Sequence, residues 1–433
     1  MDSAHLIILG VLLGGMATFV PIGMCLFFTA VVGFLVFTDL PLLMLAQSIF
    51  RSMDNFALVV VLYFILCGNI MTAGKIVDKL VRFAHILVSW LPGGLGMAGC
   101  LACGLFGAIS GSTVATMVAL GGFMIPALIK NKYPESYTIG IMTTSPNLGI
   151  IIPPSISMIL YCMISNVSLE GLFLTGFLPG IAIMLFTCIY TYFVLKDNKE
   201  IHRDPPPSLK LVWATFKECF WALMLPVVIF AGIYSGAYTA NEAAVVASVY
   251  AFFVELFIHK SMKWQQVFRI TANSAMTSGT LLFIVAGATC FGRYLTVDSI
   301  PAQVTDWVVQ FIKSPYMFLL VSQILLLIVG MLMDVISATL ILGPVFLPLL
   351  NAYGIDVMHF GMLFTVNLAI GYTTPPVGVS LYIACAMTKK DLLYVSKATL
   401  PFVIIQIIVL FIFTYWESGS LWLPRLFGYA TSP

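Results

Sequence analysis

Long apolar segments follow one another along almost the whole chain. They lie at about residues 6–38, 54–72, 92–129, 137–166, 172–195, 222–239, 241–258, 277–296, 316–350, 357–388 and 392–416. A transmembrane helix needs roughly 20 apolar residues. Backbone inside hydrocarbon must satisfy its own hydrogen bonds, which only helices and closed barrels achieve. Runs of this length predict an all-α polytopic membrane protein, with two spans in residues 6–38 because Pro21 interrupts that stretch.

The composition supports this fold class. Hydrophobic residues make up 61% of the 433 residues and charged residues only 9%, whereas a soluble protein carries about 25% charged residues. So few charges cannot cover a surface in water, and the lipid bilayer is the expected environment. Because the net charge is only +2, we expect no nucleic-acid partner.

The chain contains an internal duplication. Two long segments align at one shift of 222 residues. The first begins with GAISGSTVATMVALGGFMIPALIK and the second with GMLMDVISATLILGPVFLPLL. The matched pairs are Pro126 with Pro348, Pro153 with Pro375, Pro154 with Pro376, Pro179 with Pro401, Gly121 with Gly343 and Gly149 with Gly371. A constant register over six positions indicates a tandem repeat. The polar, proline-rich residues 196–210 separate the halves.

The distribution of lysine and arginine predicts how the halves face. Short cytoplasmic loops are enriched in both residues. They occur near residues 75–82, 130–132, 196–210, 260–269 and 389–390, and are missing near 39–41, 167–170, 234–240 and 351–356. With the basic loops inside, span 54–72 opens the first repeat and runs inward. Span 277–296 opens the second repeat and runs outward. The repeats are therefore predicted to be inverted, as in many secondary transporters.

Each repeat contains a long segment with a polar or glycine-rich centre, followed by an interrupted span. Segments 91–130 and 314–353 can each cross twice, and their centres read GAISGST and GMLMD, which predicts two re-entrant helical hairpins. The spans that follow are interrupted by SPNLGIIIPP and NLAIGYTTPP, because proline breaks a helix. Any one interruption could be a packing kink. The two hairpin centres and the two interrupted spans make four such breaks, and the repeat pairs them. Together they indicate a binding site, since irregular backbone in a membrane must be buried or line a wet cavity.

Two acidic residues in these segments have different interpretations. Asp334 is the acid nearest a predicted hairpin tip, and acids inside membranes usually have a function. Glu242 stands three residues after Thr239, which is the spacing of a helix capping box. No GxxxxGK[ST] nucleotide loop and no Ser/His/Asp or metal-ligand grouping occurs in the sequence. The sequence therefore favours a transporter coupled to an ion gradient over an ATPase or another enzyme.

The sequence resembles the large membrane subunit of the tripartite ATP-independent periplasmic (TRAP) transporters. The resemblance rests on SGSTVATMVALGGFMIPAL, PNLGIIIPPSISMILY, LFLTGFLPGI, YTANEAAVVASVYAF and NLAIGYTTPPVGVSLYIA, and extends over essentially the whole chain. It implies Na⁺-coupled import of an organic acid, such as a sialic acid or a C4-dicarboxylate, across a bacterial inner membrane. It also implies two partners, a small four-helix membrane subunit and a periplasmic substrate-binding protein. Na⁺ is the coupling ion, and no other cofactor is implied.

The resemblance further implies an elevator, in which a transport domain slides against a scaffold. Residues 91–166 and 314–388 would form the two halves of the transport domain. Residues 1–90 would hold scaffold helices and a first arm near 40–52. Residues 167–313 would hold scaffold helices, the linker between the repeats and a second arm near 260–275. Residues 389–433 would form a C-terminal scaffold helix and tail.

Matching motifs imply two cation sites with a substrate site between them. The first cation site comprises Ser110, Ser112, Thr113, Asn147, Gly149 and Pro153. The second comprises Gly330, Asp334, Asn367, Gly371 and Thr373. The substrate site comprises Ser145, Ser155, Thr373 and Thr374. Backbone carbonyls are expected to supply much of the coordination. Because the substrate site has no Arg or Lys, specificity is expected to lie mostly in the soluble partner.

Two alternatives remain at this stage. A stand-alone Na⁺/carboxylate symporter, which needs no binding protein, fits inverted hairpins equally well. An intramembrane enzyme or a structural scaffold fits less well, because the sequence has no catalytic grouping and contains four paired interruptions.

Overall fold

The computed structural model describes residues 3–18, 20–38, 40–55, 57–201 and 203–429, and none of them lies in a β-strand. The N-terminal region forms α1 (Ser3–Ala17), α2 (Ile22–Phe37), α3 (Leu43–Met53), α4 (Ala57–Ala73) and α5 (Ile76–Val88). The first apolar stretch is thus two helices, and Pro21 stands directly before the second. The short amphipathic α3 coincides with the predicted first arm.

The first predicted hairpin is a pair of antiparallel helical arms. It consists of α6 (Gly94–Ser110), α7 (Thr113–Thr116), a π-helical turn (Met117–Gly121) and α8 (Gly122–Lys130). The Leu95 amide donates to the Tyr133 hydroxyl over 3.1 Å, so the two ends of the hairpin lie together. After it come α9 (Glu135–Thr144), a 3₁₀ turn (Ser145–Asn147), α10 (Leu148–Ile151) and α11 (Ile156–Ser165).

The middle of the chain differs from the sequence interpretation at one point. It forms α12 (Leu169–Leu195), α13 (Leu209–Tyr234), α14 (Ala240–Phe253) with a π-helical turn (Val254–Ile258), α15 (Trp264–Val297) and α16 (Ile300–Phe311). The predicted second arm and span 277–296 are parts of the single helix α15. A change from polar to apolar residues does not end a helix, and α15 contains no proline.

The second predicted hairpin repeats the antiparallel arrangement. It consists of α17 (Pro315–Leu332) and α18 (Val335–Tyr353), and the interrupted span that follows consists of α19 (Val357–Gly371) and α20 (Val379–Thr388). The rings of Phe318 and Tyr353 stack 4.5 Å apart, and the Tyr353 hydroxyl donates to the Ile312 carbonyl over 2.7 Å. The chain then continues as α21 (Leu392–Tyr415), α22 (Glu417–Ser420) and α23 (Trp422–Leu426).

The helices form a membrane-spanning bundle. Within the described ranges, nine helices are long and apolar enough to cross a membrane. Their outer faces expose large apolar side chains such as Phe193, Val249 and Ile324. A contiguous apolar surface of this kind is unfavourable in water and suits lipid. The prediction of an all-α polytopic membrane protein is therefore confirmed.

Helices α4, α5, α14 and α15 are joined by hydrogen bonds between residues far apart in sequence. Ser248 donates to the Tyr63 carbonyl over 2.7 Å, and Asn69 donates to Ser274 over 2.8 Å. The fully buried Glu255 accepts from the Ile76 amide over 2.7 Å. The expected capping box is also present, because Thr239 and Glu242 cap each other's backbone amides at the start of α14.

The interrupted helices lie at the centre of the bundle. All of residues 137–162 are buried, and so are residues 359–373. The first interruption is therefore enclosed by protein, whereas Pro375 and Pro376 of the second interruption are exposed. Irregular backbone inside a membrane is tolerated where it is buried or lines a wet cavity.

Candidate functional site

Each interrupted span consists of helical pieces separated by a few non-helical residues. The first interruption separates α10 from α11, and the second separates α19 from α20. Both contain a cis peptide bond, at Pro153-Pro154 and at Pro375-Pro376. The Ser155 hydroxyl accepts from the Met158 amide over 3.4 Å and caps α11. The predicted site residues Pro153 and Ser155 are therefore part of the first turn.

The two hairpin tips place a capping side chain at positions related by the 222-residue shift. Ser112 caps α7 through the Ala115 amide at 3.3 Å. Asp334 caps α18, accepting from the Ser337 amide at 3.0 Å and the Ser337 hydroxyl at 2.5 Å. An N-cap satisfies amides that have no partner within the helix. Both predicted ligands thus have a structural role at their tips.

Glycines bring each tip against the neighbouring interruption. A Cβ atom on Gly149 would lie 2.6 Å from the Thr116 hydroxyl oxygen, and one on Gly107 would lie 2.6 Å from Cα of Gly149. A Cβ atom on Gly371 would lie 2.5 Å from the carbonyl carbon of Gly330. No larger residue allows such an approach. Gly149, Gly330 and Gly371 therefore serve as contact points between backbones.

Backbone hydrogen bonds repeat this contact in both halves. The Ile156 amide donates to the Gly111 carbonyl over 3.4 Å, and the Gly378 amide donates to the Met331 carbonyl over 3.1 Å. The donors Ile156 and Gly378 are again 222 residues apart. In the second half, the Val335 amide also donates to the Tyr372 hydroxyl over 3.0 Å. Each tip and the interruption beside it are thus held as one unit.

The two predicted cation sites meet at a buried polar cluster. The Asn147 side-chain amide donates to the Thr373 hydroxyl at 3.2 Å and to the Gln406 side-chain carbonyl at 2.9 Å. Gln406 in turn donates to the Thr144 carbonyl over 3.0 Å. Asn147, Thr373 and Gln406 are each no more than 1% exposed. Sequence reasoning missed Gln406, although a single amide in the apolar run PFVIIQIIVLF was a usable signal.

Several buried oxygens at the site have no hydrogen-bond partner among the described residues. They are the side-chain carbonyls of Asn147 and Asn367 and the hydroxyls of Thr113 and Ser145. A buried acceptor without a partner is costly, by about 1–3 kcal/mol. Neutral carbonyl and hydroxyl oxygens are typical ligands of hard cations. The donor set therefore fits an oxygen-coordinated cation such as Na⁺.

Other predicted residues have local roles. The Ser110 and Thr116 hydroxyls lie 3.1 Å apart. Thr374 is half-buried and donates to the Ile370 carbonyl over 2.8 Å. Ser145 is buried in the 3₁₀ turn. Sequence reasoning anticipated none of these pairings.

Asn367 bonds to the first arm of the second hairpin. Its amide donates to the carbonyl oxygens of the Gln323 backbone at 2.8 Å and side chain at 2.6 Å. Gln323 precedes Gly330 by about two helical turns. Asn367 therefore fastens α19 to α17, and Gln323 is a second site-region residue that the sequence interpretation did not identify.

Helix ends supply the local electrostatics of the site. Helices α6 and α17 end at the tips, α18 begins at the second tip, and α11 begins at the first interruption. The C-terminal end of a helix carries partial negative charge and the N-terminal end partial positive charge. The C-terminal ends of α6 and α17 therefore favour a cation, and the N-terminal ends of α11 and α18 favour negatively charged groups.

A family model described as the DctM component of tripartite ATP-independent periplasmic transporters matches residues 9–418. The chain belongs to this family. It is 36% identical to the C4-dicarboxylate TRAP transporter large permease protein DctM of Rhodobacter capsulatus, over 98% of this chain and 99% of the relative. It is 31% identical to the sialic acid TRAP transporter large permease protein SiaM of Vibrio cholerae, over 97% and 98%. It is thus a TRAP large permease, a multi-pass protein of the bacterial inner membrane.

The fold also resembles that of a solved transporter. The crystal structure of the Alcanivorax borkumensis YdaH transporter superposes with a TM-score of 0.62 at 13% sequence identity, covering 87% of this chain and 89% of that one. At this identity the likeness concerns the fold alone.

Proposed function

We propose that this DctM-family permease couples the import of an organic acid to Na⁺. The observation that carries the proposal is the buried cluster at Asn147 and Thr373, where the two halves meet beside oxygens that have no partner among the described residues. The relatives named above, a C4-dicarboxylate permease and a sialic acid permease, favour a substrate from one of those two classes.

We place the two Na⁺ ions at the two tips. The first would be held by Ser110, Ser112, Thr113, Asn147, Gly149 and Pro153, and the second by Gly330, Asp334, Asn367, Gly371 and Thr373. The paired glycine contacts support this placement, because they bring the backbone of each tip against the interruption beside it. Asn367 would contribute through its side-chain carbonyl, since its amide group is bonded to Gln323.

The substrate would lie between the two ions, against Ser145, Ser155, Thr373 and Thr374. Ser155 stands at the N-terminal end of α11, and helix N-termini stabilise carboxylates. Bound Na⁺ would add positive charge to a site that has no Arg or Lys among these residues. Cation and substrate binding would therefore reinforce each other.

An elevator mechanism with inverted repeats fits these contacts. The moving unit would contain residues 91–166 and 314–388, and we extend it to α12 and α21. The Tyr137 hydroxyl of α9 donates to Thr191 of α12 over 2.9 Å, and Gln406 of α21 donates to Thr144. A Cβ atom on Gly140 of α9 would overlap the Ala398 carbonyl oxygen of α21. Buried polar bonds and close backbone contacts of this kind would be broken if α12 and α21 stayed with the scaffold.

Membership of this family implies a periplasmic binding protein and a small membrane subunit as partners. The decisive experiment is uptake into proteoliposomes that contain the chain and its small subunit under an inward Na⁺ gradient. Labelled C4-dicarboxylates and sialic acids would be offered with and without candidate binding proteins. We expect uptake to require Na⁺ and one binding protein. Uptake with Na⁺ alone would identify a stand-alone symporter, and uptake without Na⁺ would refute the coupling.

A further inference from the structure

A cleft separates the second hairpin from the helices that face it. One part has a volume of about 630 Å³, and a smaller part of about 350 Å³ continues it, because Ser48, Thr289 and Arg293 line both. Helices α3 and α15 form one wall. Pro344 and Pro348 of α18 and Ile164 at the end of α11 form the other. The cleft is thus a boundary between the proposed moving unit and the scaffold.

The two walls differ in chemistry. The wall formed by α3 and α15 carries the guanidinium groups of Arg51 and Arg293, together with hydroxyls such as those of Ser48 and Thr289. The opposite wall is apolar where α18 contributes Leu340 and its prolines. One polar wall bearing two positive charges, opposite an apolar wall, suits a small organic anion better than it suits an apolar ligand.

Both arginines are exposed, and neither makes an ion pair with a described carboxylate. The acids close to them in sequence are Asp54 and Asp298, and Asp298 accepts from the Tyr294 hydroxyl over 3.0 Å. A planar guanidinium offers paired donors that match the geometry of a carboxylate. Two such groups on one cleft therefore form a ready anion site.

The cleft lies toward the periplasmic end of the bundle. Arg293 follows Trp264 by 29 residues of α15, which is about 44 Å at a rise of roughly 1.5 Å per residue. That distance exceeds the hydrocarbon thickness of about 30 Å, and the basic residues that flank Trp264 belong on the cytoplasmic side. Arginines are disfavoured in outer loops, so two at one outer cleft need a separate explanation.

Building on the proposed function, we propose that Arg51 and Arg293 form a periplasmic vestibule that binds the carboxylate of the incoming substrate before it reaches the midplane site. The midplane residues lack a cationic side chain, and the vestibule supplies one. When the moving unit shifts, the apolar wall of α18 slides past the arginines, so the anion has contacts on both sides of the boundary.

The vestibule can be tested without transport. Ser48 lines both parts of the cleft, and a Ser48→Cys variant in nanodiscs provides a reporter thiol there. We expect an anionic thiosulfonate reagent to modify this thiol faster than a cationic one. Arg51→Gln together with Arg293→Gln should lower that preference about tenfold, which is the lower end of electrostatic effects on association rates.

Two controls accompany the labelling experiment. Arg269→Gln, which removes an exposed arginine near the start of α15, is the matched charge control and should leave the preference unchanged. The parent protein, which keeps the serine at position 48, reports any labelling of the native cysteines. A preference that falls equally in the Arg269→Gln variant would show a general charge effect and overturn the proposal.

Succinate and N-acetylneuraminate serve as probes of the ligand. Either anion should slow modification of the reporter thiol when both arginines are present and should have no effect when both are replaced by Gln. Lack of protection by both anions would overturn the proposal. The proposal would also be overturned if replacing the arginines changed the reagent preference only in nanodiscs with anionic lipid. The guanidinium groups would then hold lipid phosphate.

Uptake separates this inference from the proposed function. In proteoliposomes, the double variant should raise the KM about tenfold with little change in kcat, and Arg→Lys at both positions should restore part of the affinity. The double variant could lose uptake while labelling of the reporter thiol and its protection by anions stay as in the protein with both arginines. That result would mean that the arginines bind the substrate-binding protein, and it would overturn the vestibule proposal. Protection without any Na⁺-driven uptake by the parent would support the vestibule and refute the proposed function.

Discussion

The two hairpin tips occupy equivalent positions in the repeat and differ in charge. The first tip presents neutral oxygens, because Ser112 caps α7 with a hydroxyl and Thr113 and Asn147 carry oxygens without a described partner. The second tip presents a carboxylate, because Asp334 caps the 19-residue α18. The two tips therefore share a helix–tip–helix arrangement but differ in charge.

This difference should make the two cation sites unequal. The affinity of a site for a hard cation rises with the charge of its ligands. A site that contains Asp334 neutralises one positive charge, whereas a site built from amide and hydroxyl oxygens does not. We therefore expect the second site to bind Na⁺ more tightly.

The glycine contacts are common to both halves, and disrupting either should have the largest effect. Gly149→Ala and Gly371→Ala place a methyl group within 2.6 Å of existing atoms, and such overpacking costs about 1–3 kcal/mol or more. We expect each variant to melt at a lower temperature and to lose most uptake, as measured by thermal unfolding and proteoliposome assays.

The matched control is Gly279→Ala on α15, where a Cβ atom would have no neighbour within 4 Å. A loss confined to one of the two site glycines would show that the halves are not equivalent in packing.

Asp334→Asn tests the charge difference directly. Asparagine is also a good N-cap, so the helix start should persist while the negative charge is lost. We expect the Na⁺ concentration for half-maximal uptake to rise about tenfold, equal to about 1.4 kcal/mol, with an unchanged melting temperature. A Na⁺ titration of uptake that matches the parent would remove Asp334 from the cation site.

Asn147→Ala tests the neutral site and the junction together. It removes the candidate ligand carbonyl and leaves Gln406 and Thr373 without one partner each. We expect weaker Na⁺ dependence and a stability loss of about 1–3 kcal/mol. Gln406→Ala breaks the junction but keeps the ligand, so it should reproduce the stability loss without the change in Na⁺ dependence. Equal Na⁺ effects in both variants would assign Asn147 to packing alone.

Ser112→Ala should have the smallest effect in this series. Loss of an N-cap costs about 0.5–2 kcal/mol, and the Ser112 carbonyl, which accepts from Thr116 over 2.7 Å, stays in place. We expect a modest fall in melting temperature and a change in Na⁺ affinity below about threefold, since a hydroxyl carries no net charge. A Na⁺ effect as large as that of Asp334→Asn would mean that the hydroxyl is a ligand equal to the carboxylate.

Local sequence determined the elements of this protein. Apolar length fixed the spans, Pro21 fixed the split between α1 and α2, and the Thr239–Glu242 spacing fixed a helix start. Glycines and prolines in register placed the tips and interruptions within a few residues. These features depend on neighbours along the chain, where proline geometry and the need for internal hydrogen bonds in lipid act directly.

Tertiary structure decided which of these elements touch. The bonds from Asn147 to Thr373 and Gln406 join residues more than 220 positions apart. The bond from Asn367 to Gln323 and the cleft that gathers Arg51 with Arg293 depend on helix packing. The sequence analysis also divided α15 into an arm and a span, because the residues change from polar to apolar along it. That change affects solvation and does not interrupt the helical backbone. Sequence patterns report local propensity, whereas side-chain partners follow from how the faces of distant helices pack.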